Sequence, residues 1–161
     1  MPNWVTNIIE VDGEKEIINQ MFENVKSDKT LFDFNKIKEM PKSEELNWYD
    51  WSVNNWGTKW NTDSDVSISG NVVVFDTAWS TPFYVLSELS NQYPTLSFII
   101  NYADEDIGSN CGMYKLQGGD TLEEEKGDIV FACEVLGLDP ADYDSGYRRD
   151  KVIDLIIKDE N

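Results

Sequence analysis

The chain has 161 residues, enough for one domain of ordinary size but not for two full ones, and its 6 Trp, 7 Tyr and 7 Phe commit it to a folded core. Its 31 Asp and Glu against 13 Lys and Arg leave a formal net charge of -18, which opposes binding to phosphate backbones and to anionic membranes. There is no histidine, which excludes Ser-His-Asp and Cys-His catalysis, histidine-ligated zinc and the ordinary proton shuttle at neutral pH.

Residues 4–11 (W-V-T-N-I-I-E-V) form a β-rich run closed by the turn pair Asp12-Gly13. Ile17, Ile18, Met21, Phe22 and Val25 then recur at helical spacing and predict a helix over 14–26. Leu31, Phe32, Phe34 and Ile37 alternate loosely, which predicts a strand over 31–37 that leaves the sheet at Met40-Pro41. In the segment 44–60, Tyr49, Val53, Trp56 and Trp60 fall at i, i+4, i+7 and i+11, one face of a short helix broken near Gly57. Residues 65–75 read as two β segments or one bent strand, kinked at Gly70-Asn71. Thr81-Pro82 opens a helix as hydroxyl cap and first-turn proline; Phe83, Leu86 and Leu89 carry it to Tyr93, and Pro94 ends it. The strongest strand signal is 96–102 (L-S-F-I-I-N-Y), with 111–116 as its hairpin partner beyond the acidic turn Asp104-Glu105-Asp106. Two helices are expected to close the chain. One covers 121–137, from the capping-box pattern Thr121-x-x-Glu124; the other covers 147–158, with Val152, Leu155 and Ile156 inward.

Two β-α-β halves predict an α+β fold: a ferredoxin-like split β-α-β antiparallel sheet with helices on one face, a Trp-rich helical insert and C-terminal helices. Residues 1–120 would form the ferredoxin-like domain with its aromatic insert at 44–60. Residues 121–161 would form an acidic helical C-terminal extension packed on the same domain.

Four phrases occur together in order: Met1-Pro2-Asn3-Trp4 with Thr6-Asn7, F-x-x-I-x-x-M-P from Phe34 to Pro41, W-Y-D-W-x-x-x-N-W-G-T-K-W from Trp48 to Trp60, and F-x-T-A-W-S-T-P from Phe75 to Pro82. Over residues 1–120 they resemble the YubB-like ferredoxin-like family carried by phages, plasmids and integrated elements of bacteria. The resemblance implies a ferredoxin-like fold and a mobile-element setting. It brings no assigned activity and no catalytic residues.

Cys111 and Cys133 lack a CxxC spacing and read as reduced thiols of an intracellular protein. The opening residues lack the basic and apolar regions of a signal peptide, and no apolar run approaches a membrane span, so the cytoplasm of a bacterial host cell is the expected location. Asn61 to Asp65 begins like a calcium loop, but Val66 and Val72 stand where glycine and glutamate are required; Asp142 to Gly146 fails similarly, with Ile153 at the twelfth place. No metal and no cofactor are therefore expected. A two-carboxylate glycosidase needs a deeper groove than this length supplies, and the acids around Cys111 would raise its pKa instead of activating it. The chain reads as a protein that is not an enzyme.

Trp48, Trp51, Trp56 and Trp60 could stack on bases, sugars or cations, but the first reading of so many large side chains in a small insert is core. The charge distribution says more: residues 61–161 hold 6 basic and 20 acidic side chains, and 101–144 hold 2 and 12. Such a field steers a basic partner towards the surface. The expectation is an inhibitor from a phage or mobile element that binds a basic host defence nuclease, such as a Cas nuclease or a restriction enzyme, in the manner of an anti-CRISPR. Its acids would mimic nucleic acid along the channel or hold an enzyme domain elsewhere. The candidate contacts are Asp104, Glu105, Asp106, Asp120, Glu123, Glu124, Glu125 and Asp128. A monomer or dimer with no direct nucleic-acid binding and no membrane association is expected. Two rivals stand beside it: an accessory structural or regulatory module that self-associates through a sheet edge, and a small-molecule sensor using the tryptophan cluster.

Overall fold

The computed structural model describes residues 2–144, so the helix expected over 147–158, with Val152, Leu155 and Ile156, lies outside the described residues. In chain order the elements are β1 (Trp4–Asp12), α1 (Lys15–Val25), α2 (Phe34–Ile37), α3 (Trp48–Asn55), β2 (Ser67–Ser69), β3 (Val72–Ala78), α4 (Phe83–Gln92), β4 (Ser97–Asp104), β5 (Cys111–Gln117), β6 (Asp120–Lys126) and α5 (Ile129–Leu136), with 3-10 turns at Lys42–Asn47 and Pro140–Asp142.

Alternation along β1 separates the inside of the molecule from the outside. Val5, Asn7, Ile9 and Val11 are buried, whereas Trp4, Thr6, Ile8 and Glu10 project from the other face of the pleat. β1 pairs antiparallel with both β3 and β4, and the six strands run in the order β2-β3-β1-β4-β5-β6. The first four strands in that order, with α1 and α4 as the intervening helices, make the split β-α-β arrangement of a ferredoxin-like domain. β5 and β6 extend it beyond β4.

α1 brings Ile18, Met21, Phe22 and Val25 into the core, and α4 brings Val85, Leu86 and Leu89. Opposite them stand Ile9, Val73, Phe75, Phe98, Ile100 and Leu116 of the sheet. Burying each such side chain is worth about 1.5–3 kcal/mol, so this helix-covered face carries most of the stability. α5 packs instead against the odd-numbered side of β4: Ala132 meets Ala103 and Cys111 in a small second core. The rest of that sheet face has no helix over it among the described residues.

Four expectations need correction. No strand forms over 31–37. The donors there are met by side chains instead of a ladder: Asp33 accepts from Asn35 N–H (2.9 Å) and caps α2, and Asn61 accepts from Phe34 N–H (2.9 Å). Phe32 and Phe34 enter the core from this turn, against the Phe75 ring at 5.2 and 5.8 Å.

The face expected on the aromatic helix is rotated. Ser52 and Trp56 point inward and Trp51 is half-buried, while Tyr49, Val53 and Trp60 are exposed. The indole N–H of Trp56 fixes this choice by donating to the Lys38 carbonyl (2.9 Å).

Thr81 does not cap α4. Its hydroxyl donates to the buried Asn7 carboxamide oxygen (2.7 Å), whose amide group in turn donates to Thr77 Oγ1 (2.9 Å) and the Phe75 carbonyl (3.2 Å). A buried polar pair outweighs one helix cap.

Residues 120–126 are a strand, and the helix expected from 121 starts only at Ile129, where the Asp128 carboxylate accepts from Phe131 N–H (2.9 Å). β4 pairs with only one side of β5, and Gly118-Gly119, both at positive φ (60° and 84°), reverse the chain onto the other. Gly112 leaves room for the passing Glu125 carbonyl, which a Cβ there would meet at 2.3 Å. Edge pairing thus overrides the helical propensity of the glutamate run. A register shift between Lys115 and Leu116 accommodates the extra residue, Leu122.

Candidate functional site

Because β1 sends Trp4 outward, its ring stands on the sheet face opposite α1 and α4, near the end where the strand begins and beside the end of α5. There it meets Trp60, with ring centroids 6.0 Å apart and planes at 37°. The segment carrying Trp60 is tied down on both sides. Upstream, Trp56 is buried and Thr58 Oγ1 donates to the Ala78 carbonyl (2.8 Å); downstream, Asn61 Nδ2 donates to Asp33 (2.7 Å) and Thr62 is hydrogen-bonded to Thr30 (2.8 Å) and to the Phe32 carbonyl. Gly57, at φ 87°, makes the close approach to the start of α4, where a Cβ would stand 3.1 Å from the Phe83 and Tyr84 nitrogens. Trp60 is an exposed ring on a fixed backbone.

Trp79 completes this surface from the end of β3. It adopts φ 71°, a left-handed conformation costly for a tryptophan, and is held there by its N–H donating to Asn3 O (2.9 Å) and its carbonyl accepting from Asn110 Nδ2 (2.9 Å). The Lys59 ammonium sits 4.3 Å from the Trp60 ring centroid and 4.5 Å from that of Trp79, with Tyr49 at 6.0 Å. Trp4, Trp48, Tyr49, Trp60 and Trp79 are each between 38% and 43% exposed. Of Trp48, Trp51, Trp56 and Trp60, expected to be mostly core, Trp56 and the half-buried Trp51, edge-on at 5.3 Å, line the interior, whereas Trp48 and Trp60 belong to the surface.

Beside Trp4 and Trp60 opens a cavity of about 640 Å³ whose walls include Asp63, Asp65 and Asp76. A second hollow of about 380 Å³ adjoins it, shares Trp4 and Asp76, and adds Glu105. Asp76 is oriented by Thr6 Oγ1 (2.8 Å), and Glu105 is clamped to Trp4 by two bonds, Trp4 N–H to its carboxylate (3.1 Å) and its own N–H to Trp4 O (3.0 Å). None of these four carboxylates has an ion-pair partner among the described residues. Nor do any three potential ligands among the described residues come close enough together to hold a metal ion.

The eight acids singled out from sequence do not form one patch. Asp104 is buried and holds a loop, accepting from Asp106 N–H (2.9 Å) and Asn110 Nδ2 (3.1 Å). Asp128 caps α5, and Asp106 accepts from Ser109 Oγ (2.8 Å). Asp120, Glu123, Glu124 and Glu125 lie fully on the solvent-exposed edge strand β6, which is separated from β1 by β4 and β5. Sequence reasoning missed Trp4, Trp79 and Asp76 as site residues, and weighed Asp63 and Asp65 only as the start of a calcium loop. The signal for Trp4 was available, since burying Val5, Asn7 and Ile9 puts Trp4 outside.

Burial raises the pKa of both thiols, Cys111 with help from the Asp128 charge and Cys133 with help from Asp139 and Asp142. Neither is activated as a nucleophile. Burial, with its bond to Tyr114, likewise pushes the Tyr102 hydroxyl well above its ordinary value.

Residues 55–146 match the family model described as the ferredoxin-like domain in Api92-like protein. Among solved structures, the chain is similar to the crystal structure of a protein Api92 from Yersinia pseudotuberculosis, with a TM-score of 0.50 and 17% identity; the likeness covers 59% of this chain and 39% of that one. At that identity the likeness concerns the fold alone. The chain matches no curated protein sequence. Among the described residues, no helix is long and apolar enough to cross a membrane.

Proposed function

We propose, from the premise that this chain belongs to the family described as the ferredoxin-like domain in Api92-like protein, that it is a binding protein without catalysis that engages and inhibits a basic partner. The partner class that fits best is a nucleic-acid enzyme of the bacterial host, such as a Cas nuclease or restriction enzyme, whose substrate channel is lined with Lys and Arg. The mobile-element setting implied by resemblance to the YubB-like family belongs to the same proposal.

The observation that carries it is the state of β6. Asp120, Glu123, Glu124 and Glu125 are exposed on a free strand edge, with no ion-pair partner among the described residues. Like charges held this close raise the free energy of the isolated protein and lower it again beside a basic surface. The same charges oppose edge-to-edge pairing of two copies, which weighs against self-association through β6.

The experiment is a cleavage assay with a panel of purified Cas nucleases and restriction enzymes, run with the protein in excess across a salt series. Expected is inhibition of at least one enzyme, weakening steeply with salt and lost when Glu123, Glu124 and Glu125 are all changed to Lys. Failure to inhibit or retain any basic nuclease, or inhibition unchanged by that reversal, overturns the proposal.

A further inference from the structure

We infer that the cavity beside the Trp4–Trp60 ring pair is a binding site for an organic cation bearing a guanidinium or primary ammonium group. Its volume of about 640 Å³ falls in the range of small-ligand sites, roughly 300–1,000 Å³. Two indole rings from distant parts of the chain flank it, held in place by the fixed segment around Trp60 and by the Trp4–Glu105 clamp. Asp63, Asp65 and Asp76 supply negative charge that no basic side chain among the described residues neutralises.

Three features select the ligand class. Anions are repelled by the carboxylates, and a purely apolar molecule would leave those carboxylates desolvated and unpaired. No three of the described carboxylates come close enough to hold one metal ion, and a larger organic cation suits their spacing better. The adjacent surface already holds an ammonium: Lys59 lies over Trp60 and Trp79 and forms no ion pair with the acids, the arrangement in which an indole face accepts a cation. A guanidinium answers all three, stacking flat on indole while its fork of N–H donors meets carboxylate oxygens. The site lies on the β1–β3 side of the sheet, away from β6, and stands independently of the inhibitor reading.

The ligand could arrive as a side chain of a protein or as a free polyamine, and two probes separate these sources. The protein is titrated with N-acetyl-arginine amide, which mimics a side chain within a polypeptide, and separately with spermidine; the uncharged N-acetyl-citrulline amide is the control. The readout is the indole N–H resonances of Trp4 and Trp60, assigned through Trp4→Phe and Trp60→Phe. Expected is a saturable shift of both resonances with at least one cationic probe, no shift with the citrulline compound, and about tenfold or greater weakening in the double variant Asp63→Asn, Asp65→Asn, which keeps the cavity's shape. Saturation by the arginine compound assigns a protein side chain, and saturation by spermidine alone assigns a free polyamine. No saturable shift up to about 10 mM of either cation, equal response to citrulline, or undiminished binding in the Asn variant overturns the inference.

Discussion

Changing Gly112 to Ala tests the pairing that puts the acidic run on a strand. The added Cβ would stand 2.3 Å from the Glu125 carbonyl oxygen and 3.1 Å from the Tyr102 hydroxyl. The tyrosine can turn aside, but the carbonyl is part of a ladder, so β6 must retreat by about 1 Å. That retreat spoils the hydrogen bonding around the Gly112–Lys126 and Met113–Glu125 pairs. Overpacking of this kind costs about 1–3 kcal/mol. All seven residues of β6 are exposed, so little apolar burial holds the strand, and local detachment relieves the clash before the core is affected. Hydrogen exchange read residue by residue should show the amides of 121–126 losing about five- to hundredfold protection, while those of Val5, Ile9 and Ile100 keep theirs. The urea midpoint should move little. If exchange over 121–126 is unchanged in a stably folded variant, the β5–β6 register is wrong and the acids are displayed in some other way.

Asn7→Ala removes an amide that is fully buried and bonded to Thr77 and Thr81, leaving two hydroxyls without it; the expected loss is about 2–3 kcal/mol in urea unfolding, and a loss under about 1 kcal/mol would refute the network's role. Both thiols and Tyr102 are held in the neutral form in the folded state, with pKa values raised from 9.0 and 10.0. The stability they contribute is therefore complete below the unfolded values and is lost as pH rises through the folded ones. Unfolding midpoints should fall between about pH 8 and pH 11, with a shallower fall in Cys111→Ala, Cys133→Ala, and iodoacetamide should alkylate the native thiols more slowly than those of the urea-unfolded chain. Equal alkylation rates in native and unfolded protein would contradict their burial.

Sequence by itself determined the elements whose side chains repeat with a period and face one core. The alternation of Val5, Ile9 and Val11, the helical spacing of Ile18, Met21, Phe22 and Val25, and the run ending in Pro94 each contain their own answer, because a local period defines a buried face. Their order reached the ferredoxin-like sheet, although β2 and β3, and not the strand expected over 31–37, follow α1 in it. The excess of Asp and Glu over Lys and Arg was likewise enough to make the surface acidic, since nearly all charged side chains stay in water wherever the chain runs, Asp33 and Asp104 being buried exceptions.

Only the tertiary structure decided the rest, and in each case a distant partner was the cause. Phe32 and Phe34 alternate like a strand, yet Asn61 takes the backbone donor that a ladder would have used. The Thr121–Lys126 run has the composition of a helix, and the side of β5 not paired with β4, beside Gly112, makes it a strand. Four tryptophans of one short segment divide between core and surface because the Trp56 indole N–H has its acceptor at Lys38, while the Trp60 ring has its neighbour at Trp4, some fifty residues earlier in the chain. The candidate site is the clearest instance. Trp4, Asp63, Asp65 and Asp76 come from stretches that share no spacing, and they meet only because β1 pairs with β3 and the loop after α3 folds back beside them. A spacing along the chain records what local geometry repeats, whereas a cavity between non-adjacent segments exists only once long-range pairing has closed it.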